Sequence, residues 1–149
     1  DRRDLLEMPQ VSALHAVLEA NDLRMEGKAK EAVTRLEALI DGSEPFQVHA
    51  ALLDAYKAAG NDEKALAQAA WLAGHRGRAY SELGCSWCQQ ALNVVDTTLG
   101  RLLAAELLVS MGRGAEARDE LRKFDKQWPA ADLPDHLRVR RTELLATFN

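Results

Sequence analysis

Two cysteines, Cys85 and Cys88 in the segment CSWC, are the side chains of this sequence best suited to chemistry. Thiols three positions apart can form a disulfide, act as a redox pair or supply half of a zinc site. No strand pattern surrounds them, as a thioredoxin-like site requires, and Gln89 stands where covalent haem attachment needs a histidine. His75 is the only nearby histidine, so a closed zinc site lacks ligands. We predict a redox or disulfide pair, or two packed free thiols, and no metal site.

The remaining titratable residues form no recognised catalytic motif. The four histidines are far apart in the sequence, and neither the helical zinc-protease signature nor a nucleophile-elbow or phosphate-loop glycine pattern is present. The acidic residues follow the surfaces of predicted helices, where pairing with lysine explains them. We therefore expect a protein that is not an enzyme and that needs no cofactor.

Charge and hydropathy narrow the choice of partner. The net charge is −4 and both signs are interspersed without a basic stripe, which argues against nucleic-acid binding. No apolar run approaches the roughly 20 residues of a membrane-spanning helix, so we expect no membrane insertion. The chain begins at Asp1 rather than at methionine, so the missing targeting segment leaves the compartment open. A soluble protein of the cytoplasm or of an extracytoplasmic space such as the periplasm fits equally well.

Helix periodicity dominates the whole chain. Hydrophobic residues make up 47% of it and aromatic residues only 5%, so alanine and leucine, both strong helix formers, must supply most of the packing. A length of 149 residues suits one all-α domain, 1–149. Apolar residues at three-to-four spacing predict seven helices, at about Val11–Glu26, Ala29–Ile40, Phe46–Ala59, Asp62–Ala73, Leu99–Met111, Ala115–Trp128 and Asp135–Phe148.

The region 74–96 interrupts this order. Its first five residues, 74–78, read as a loop because they are rich in glycine and charge. A short helix is predicted at about Trp87–Val95. Asp96, Thr97 and Thr98 are residue types that cap helix N-termini, so we expect a new helix to start after them.

A turn glycine followed five residues later by alanine occurs three times. The pairs are Gly27 with Ala32, Gly60 with Ala65, and Gly112 with Ala117. Glycine suits a tight turn between helices because it adopts positive φ, and alanine lets the second helix approach the first. Gly27 and Gly60 are 33 positions apart, whereas Gly60 and Gly112 are 52 apart. The larger separation matches the irregular region 74–96.

With this pattern the chain resembles the tetratricopeptide repeat family, whose unit is a helix–turn–helix of about 34 residues. The middle unit matches best, with Leu52, Tyr56, Gly60 and Ala65 at family positions, and Pro129 stands at the closing proline of the third. None of the units has the family's early tryptophan. The resemblance implies a right-handed α-solenoid of antiparallel helix pairs, with repeats at about 12–45, 46–73 and 97–129, an insertion at 74–96 and a capping helix at 133–148.

The resemblance also implies a concave groove lined by the first helix of each pair. Its polar candidates for gripping a peptide are Asn21, Arg24, Gln47, Asp54 and Lys57, with Leu14, Val17 and Ala50 between them. The family's carboxylate-gripping groove needs a lysine where this chain has Val17, so that specificity is not expected. On the capping helix, Arg138, Arg140 and Arg141 are expected on the outer, solvated side.

These features predict a protein–protein interaction scaffold that holds a peptide or a partner protein in its groove. Terminal repeats lack a neighbour on one side, so a homodimer through them is a further expectation. The alternative is a sensory or regulatory domain of a larger chain, with Cys85 and Cys88 as its redox input.

Overall fold

The computed structural model describes residues 7–82 and 88–148, and in this part of the chain all regular structure is helical. Eight α-helices and one 3-10 turn, Ala130–Asp132, follow one another. The helices are α1 (Pro9–Met25), α2 (Ala29–Glu37), α3 (Phe46–Ala58), α4 (Asp62–Gly74), α5 (Arg76–Ser81), α6 (Cys88–Ser110), α7 (Gly114–Gln127) and α8 (Asp135–Ala146). The all-α prediction is confirmed. None of the described helices combines the length and the hydropathy needed to cross a bilayer.

Three helix pairs, α1 with α2, α3 with α4 and α6 with α7, are joined by turns of the same geometry. Gly27, Gly60 and Gly112 have φ values of +80°, +73° and +75°. In each turn the residue after the glycine donates its backbone N–H to the carbonyl four positions before the glycine. The three hydrogen bonds are Lys28 to Leu23 (2.8 Å), Asn61 to Tyr56 (2.9 Å) and Arg113 to Leu108 (2.7 Å). Together with the bond from each glycine N–H, this is the Schellman arrangement, which needs a left-handed residue.

The alanine that follows each turn is fully buried. Ala32, Ala65 and Ala117 each have 0% exposure, as close packing of the second helix requires. The predicted roles of glycine and alanine in these turns are therefore confirmed for all three pairs.

The helix α6 contributes buried side chains to two separate hydrophobic clusters. Its residues Ala104 and Leu107 belong to a cluster that contains the buried side chains of α1 to α5. Leu102 and Ala105, on its other face, belong to a second cluster with residues of α7, of α8 and of the connection between them. The 23-residue α6 is therefore the element that joins the two halves of the domain.

Contact between α4 and α6 is unusually close at Gly100. A Cβ atom at this position would lie 3.0 Å from the carbonyl oxygen of Ala69 and 3.3 Å from the Cβ atom of Leu72. The small side chains of Ala69 and Ala73 on α4 allow the same approach from the other side. Glycine is needed here for space rather than for its backbone conformation.

Two predictions for the irregular region are wrong. The predicted loop 74–78 is helical except for His75, because α4 continues to Gly74 and α5 begins at Arg76. The predicted helix start at Asp96, Thr97 and Thr98 lies inside α6. The hydroxyl of Thr97 donates to the carbonyl of Val94 at 2.7 Å, so it is satisfied within the helix instead of capping one.

The predicted outer position of three arginines on α8 is wrong for two of them. Arg141 pairs with Asp125 on α7 through two hydrogen bonds of 2.7 and 2.8 Å. Arg140 pairs in the same way with Glu106 on α6. Arg138 is about half exposed and pairs with Asp135 on its own helix. Fork-shaped guanidinium groups match carboxylates at two points, which favours these contacts over solvation.

Candidate peptide-binding groove

A groove of about 330 Å³ runs between α1, α3, α6 and α8. The first helix of each of the three pairs contributes to it, and α8 closes one end. Its wall is mixed: apolar side chains form the floor, while amide and charged groups lie among them. The lining residues are Val17, Asn21, Gln47, Ala50, Ala51, Leu53, Asp54, Leu72, Asp96, Leu99, Leu103 and Arg140.

The structure brings together three of the five polar candidates from the sequence. Asn21 on α1 and both Gln47 and Asp54 on α3 line this groove. Arg24 and Lys57 are not among its lining residues. Lys57 points instead towards Glu106, with 3.9 Å between its Nζ and the carboxylate.

An amide network links α3 to α6 in the groove wall. The Nε2 atom of Gln47 donates to Oδ1 of Asn93 at 2.5 Å and approaches Oδ2 of Asp96 at 3.5 Å. Asn93 has only 1% exposure, so this hydrogen bond satisfies a fully buried amide oxygen. The network fixes the position of the Gln47 side chain and of the helix face that carries Asp96.

Asp96 is a groove residue that sequence analysis assigned to another role. Burial raises the pKa of its carboxyl group to about 6. The hydrogen bond from Gln47 lowers this pKa, and the negative charge of Asp54 raises it further. Two carboxylates, Asp54 on α3 and Asp96 on α6, therefore line the same groove. The sequence signal for Asp96 was its helical spacing from Leu99 and Leu103, which the capping interpretation overlooked.

At the α8 end, the groove contains a cation that is already paired. Arg140 donates from Nε and Nη2 to the two carboxylate oxygens of Glu106, at 2.8 and 2.7 Å. These hydrogen bonds, which Arg140 donates to Glu106, outweigh burial and raise the pKa of Arg140. Asp54, by contrast, forms no hydrogen bond or ion pair with any residue that the structure describes. Its charge nevertheless interacts with that of Arg140. With two carboxylates and one arginine among the lining residues, the groove carries net negative charge.

A second polar cluster is buried between the 41–45 connection, α3, α4 and α5. Glu44 has 6% exposure and His49 has 5%, and 2.9 Å separates Oε1 of Glu44 from Nε2 of His49. Burial alone would raise the pKa of Glu44, but hydrogen bonds from His49 and from the backbone N–H groups of Gly42 and Asp41 lower it to about 2.

Aromatic and guanidinium groups complete this second cluster. The ring of Trp71 stacks between those of His49 and His75, with centroid separations of 3.4 and 4.0 Å. Arg78 on α5 lies over Trp71 and also donates to the carbonyl oxygen of Glu44. Glu44 and His49 are buried, and their contacts link α3, α4 and α5 to the 41–45 connection.

Other predicted chemistry falls outside the part of the chain that can be described. Cys85 and the side chain of Cys88 lie outside the described residues, so the redox or disulfide pair stays a prediction. Within residues 7–82 and 88–148, no group of three or more His, Cys, Asp or Glu side chains is arranged to hold a metal ion.

Comparison of the chain with protein-family models, with curated proteins and with solved structures finds no match. Function must therefore be argued from the groove itself.

Proposed function

We propose that this protein is a non-enzymatic interaction scaffold that binds an extended peptide, or an extended segment of a partner protein, in the groove between α1, α3, α6 and α8. The observation that carries the proposal is the convergence of the first helix of all three pairs on this one groove. An extended chain offers backbone groups to Asn21 and Gln47 while its side chains contact the apolar floor.

The shared Schellman turns support a solenoid related to the tetratricopeptide repeat. Three copies of one helix–turn–helix unit stacked side by side create a long concave surface without a catalytic centre. In this proposal the handedness is right-handed, and the short α5 and the first part of α6 are the insertion that separates the second unit from the third.

A larger groove elsewhere fits the role less well. It has about 460 Å³ and lies between α4, α6 and α7. Most of its charged lining residues already pair with one another: Arg101 with Glu120 at 2.9 Å, and Arg113 with Glu116 at 2.8 Å. Mutually paired charges offer a partner little beyond what solvent already supplies.

A random dodecapeptide library displayed on phage tests the proposal. Peptides enriched on the immobilised protein are synthesised, and their affinities are measured by fluorescence anisotropy for the parent and for two tryptophan variants. Ala50→Trp fills the groove from its α3 wall, while Ala58→Trp places the same side chain on the exposed part of the same helix.

We expect Ala50→Trp to weaken binding by about tenfold or more, equivalent to about 1.4 kcal/mol, and Ala58→Trp to leave it unchanged. Far-UV circular dichroism checks that both variants remain folded. A library that yields no enriched peptide, or peptides that bind Ala50→Trp as tightly as the parent, would refute the groove as the binding site.

A further inference from the structure

The charge of the groove defines the chemistry of its occupant. Three lining residues carry charge: Asp54, Asp96 and Arg140. Arg140 is neutralised by two hydrogen bonds to Glu106. Asp96 has one long contact with the neutral Gln47, of 3.5 Å, and Asp54 forms no hydrogen bond or close ion pair with a described residue, although it is near enough to Arg140 for their charges to interact. Two carboxylates and one guanidinium group that is hydrogen-bonded to Glu106 leave the groove lining with net negative charge.

The floor next to these carboxylates is apolar. Val17, Ala50, Leu53, Leu99 and Leu103 line the same groove. A lysine or arginine side chain combines a methylene stem, which packs on apolar surface, with a cationic end, which seeks a carboxylate. The volume of about 330 Å³ is at the small end of ligand pockets, which suits one or two side chains of an extended peptide.

We propose, on the basis of the peptide-binding function above, that the groove selects a segment carrying a lysine or arginine whose cationic group binds against the carboxylates of Asp54 and Asp96. The apolar floor contacts the stem of that side chain, and Asn21 and Gln47 bind the backbone on either side of it.

Two other occupants fit the same observations poorly. A nucleic acid presents phosphates, which the unpaired carboxylates repel. A calcium ion needs six to eight oxygen ligands, typically from several carboxylates, and two aspartates alone do not supply them. A basic peptide satisfies both the charge and the apolar floor.

The test uses the same dodecapeptide library on four proteins: the parent, Asp54→Asn, the double variant Asp54→Asn/Asp96→Asn, and Glu31→Gln. The last removes one negative charge from an exposed position on α2 and so controls for general electrostatic attraction. Peptides enriched on the parent are synthesised in pairs, with lysine or arginine at the shared basic position or with methionine in its place. Binding is measured at two salt concentrations.

Among the enriched peptides whose binding Ala50→Trp weakens, we expect a shared basic position. On the parent and on Glu31→Gln, methionine at that position should weaken binding about tenfold. On the double variant the two peptides should bind within about twofold of each other, because the carboxylates that distinguish them are gone. Asp54→Asn alone, at an exposed position, should give an intermediate ratio, and raising the salt concentration should reduce the parent's preference.

Two outcomes would overturn this inference and leave the scaffold function intact. In the first, the groove-dependent peptides share no basic residue. In the second, replacing the basic residue of the peptide with methionine changes its affinity for the parent and for the double variant by the same factor. If no enriched peptide is sensitive to Ala50→Trp, the scaffold function itself fails, and the preference for a basic residue fails with it.

Discussion

Arg140 on α8 and Glu106 on α6 form a two-point ion pair, with 2.8 Å from Nε to Oε1 and 2.7 Å from Nη2 to Oε2. This pair attaches the final helix beside the groove. It also pairs Arg140, the one basic residue among the described residues that line the groove, with a carboxylate. One contact therefore acts on both the stability of the α8 end and the electrostatic character of the binding surface.

Replacing Arg140 with methionine should destabilise the domain by about 1 kcal/mol, because the lost ion pair is partly buried and bidentate. Urea-induced unfolding followed by circular dichroism measures the change. Arg122→Met is the matched control, since Arg122 is 73% exposed and pairs with Asp119 on its own helix; it should change stability by less than about 0.5 kcal/mol. Equal effects of the two substitutions would show that the Arg140 pair contributes no more than a surface contact.

Gly100→Ala tests the close approach of α4 and α6. The added Cβ atom would lie 3.0 Å from the carbonyl oxygen of Ala69, and backbone cannot move aside as a flexible side chain can. Overpacking costs about 1–3 kcal/mol, against a gain of about 1 kcal/mol in helix propensity, so we expect a net loss of about 1 kcal/mol.

Gly114→Ala provides the control for this substitution. Gly114 also lies in a helix, but a Cβ atom there would meet nothing within 4 Å. Alanine at this position should be neutral or slightly stabilising in the same urea titration. If Gly100→Ala is as stable as Gly114→Ala, the contact between α4 and α6 can accept a methyl group, and the close approach at Gly100 does not limit stability.

The hairpins could be predicted from sequence because their determinants are local. The helix predicted at Phe46–Ala59 is observed at Phe46–Ala58, and the one predicted at Asp62–Ala73 is observed at Asp62–Gly74. Gly60 ends the first of these helices and Ala65 packs at the start of the second, so a few residues specify the turn. Local signals of this kind recur at the other two turns.

The groove could be predicted only in part, because its second wall depends on contacts distant in sequence. Asp96 and Thr97 have side chains that favour helix starts, yet Thr97 has 1% exposure inside α6. Gln47 lies 49 positions before Asp96, and local preference says nothing about their contact. Arg140 is a further example, because its ion pair with Glu106, 34 positions earlier in the chain, keeps it from the solvated side on which it was predicted.

Asp96→Asn should make the stability of the protein less dependent on pH. The folded-state pKa of about 6 is above the ordinary value of 3.8, so the folded protein binds this proton more tightly than the unfolded chain does. Stability contributed by the group is therefore present below about pH 4 and is lost as the pH rises through about 6. We expect the variant to be more stable than the parent at pH 7, by up to about 2 kcal/mol, and nearly equal to it at pH 4.

Urea titrations of both proteins at pH 4, 5, 6 and 7 measure this difference. The groups around Asp96 are Gln47 and Asp54 on α3, Asn93 on α6 and Arg140 on α8; the two amides are uncharged, and Arg140 stays protonated throughout this pH range. Asp22→Asn, at an exposed position on α1, controls for the general loss of a carboxylate. A stability difference that does not grow between pH 4 and pH 7 would contradict the raised pKa of Asp96.

Glu44→Gln should destabilise the domain at neutral pH. The carboxylate of Glu44 accepts hydrogen bonds from the backbone N–H groups of Asp41 and Gly42, at 3.0 and 2.6 Å, and contacts the buried His49. Its pKa of about 2 is below the ordinary 4.5, so its contribution is present above about pH 4.5 and is lost as the pH falls towards about 2. We expect a loss of about 2 kcal/mol at pH 7, because glutamine keeps one acceptor but removes the negative charge that accepts the backbone hydrogen bonds and that pairs with Arg78.

The pH dependence separates this charge effect from a packing defect. Between pH 5 and pH 3 the Glu44 carboxyl takes up a proton in the unfolded parent, whereas its pKa of about 2 keeps it ionised in the folded parent. The stability difference between parent and variant should therefore shrink over that range in urea titrations. A defect caused by the shape of glutamine would stay constant over that range, and such a result would show that the low pKa of Glu44 does not stabilise the fold. Glu143→Gln, exposed on α8, is the reference for acid titration of surface carboxylates. Because Glu44, His49 and Arg78 connect the 41–45 loop with α3 and α5, the same variant should also speed amide hydrogen exchange in α5.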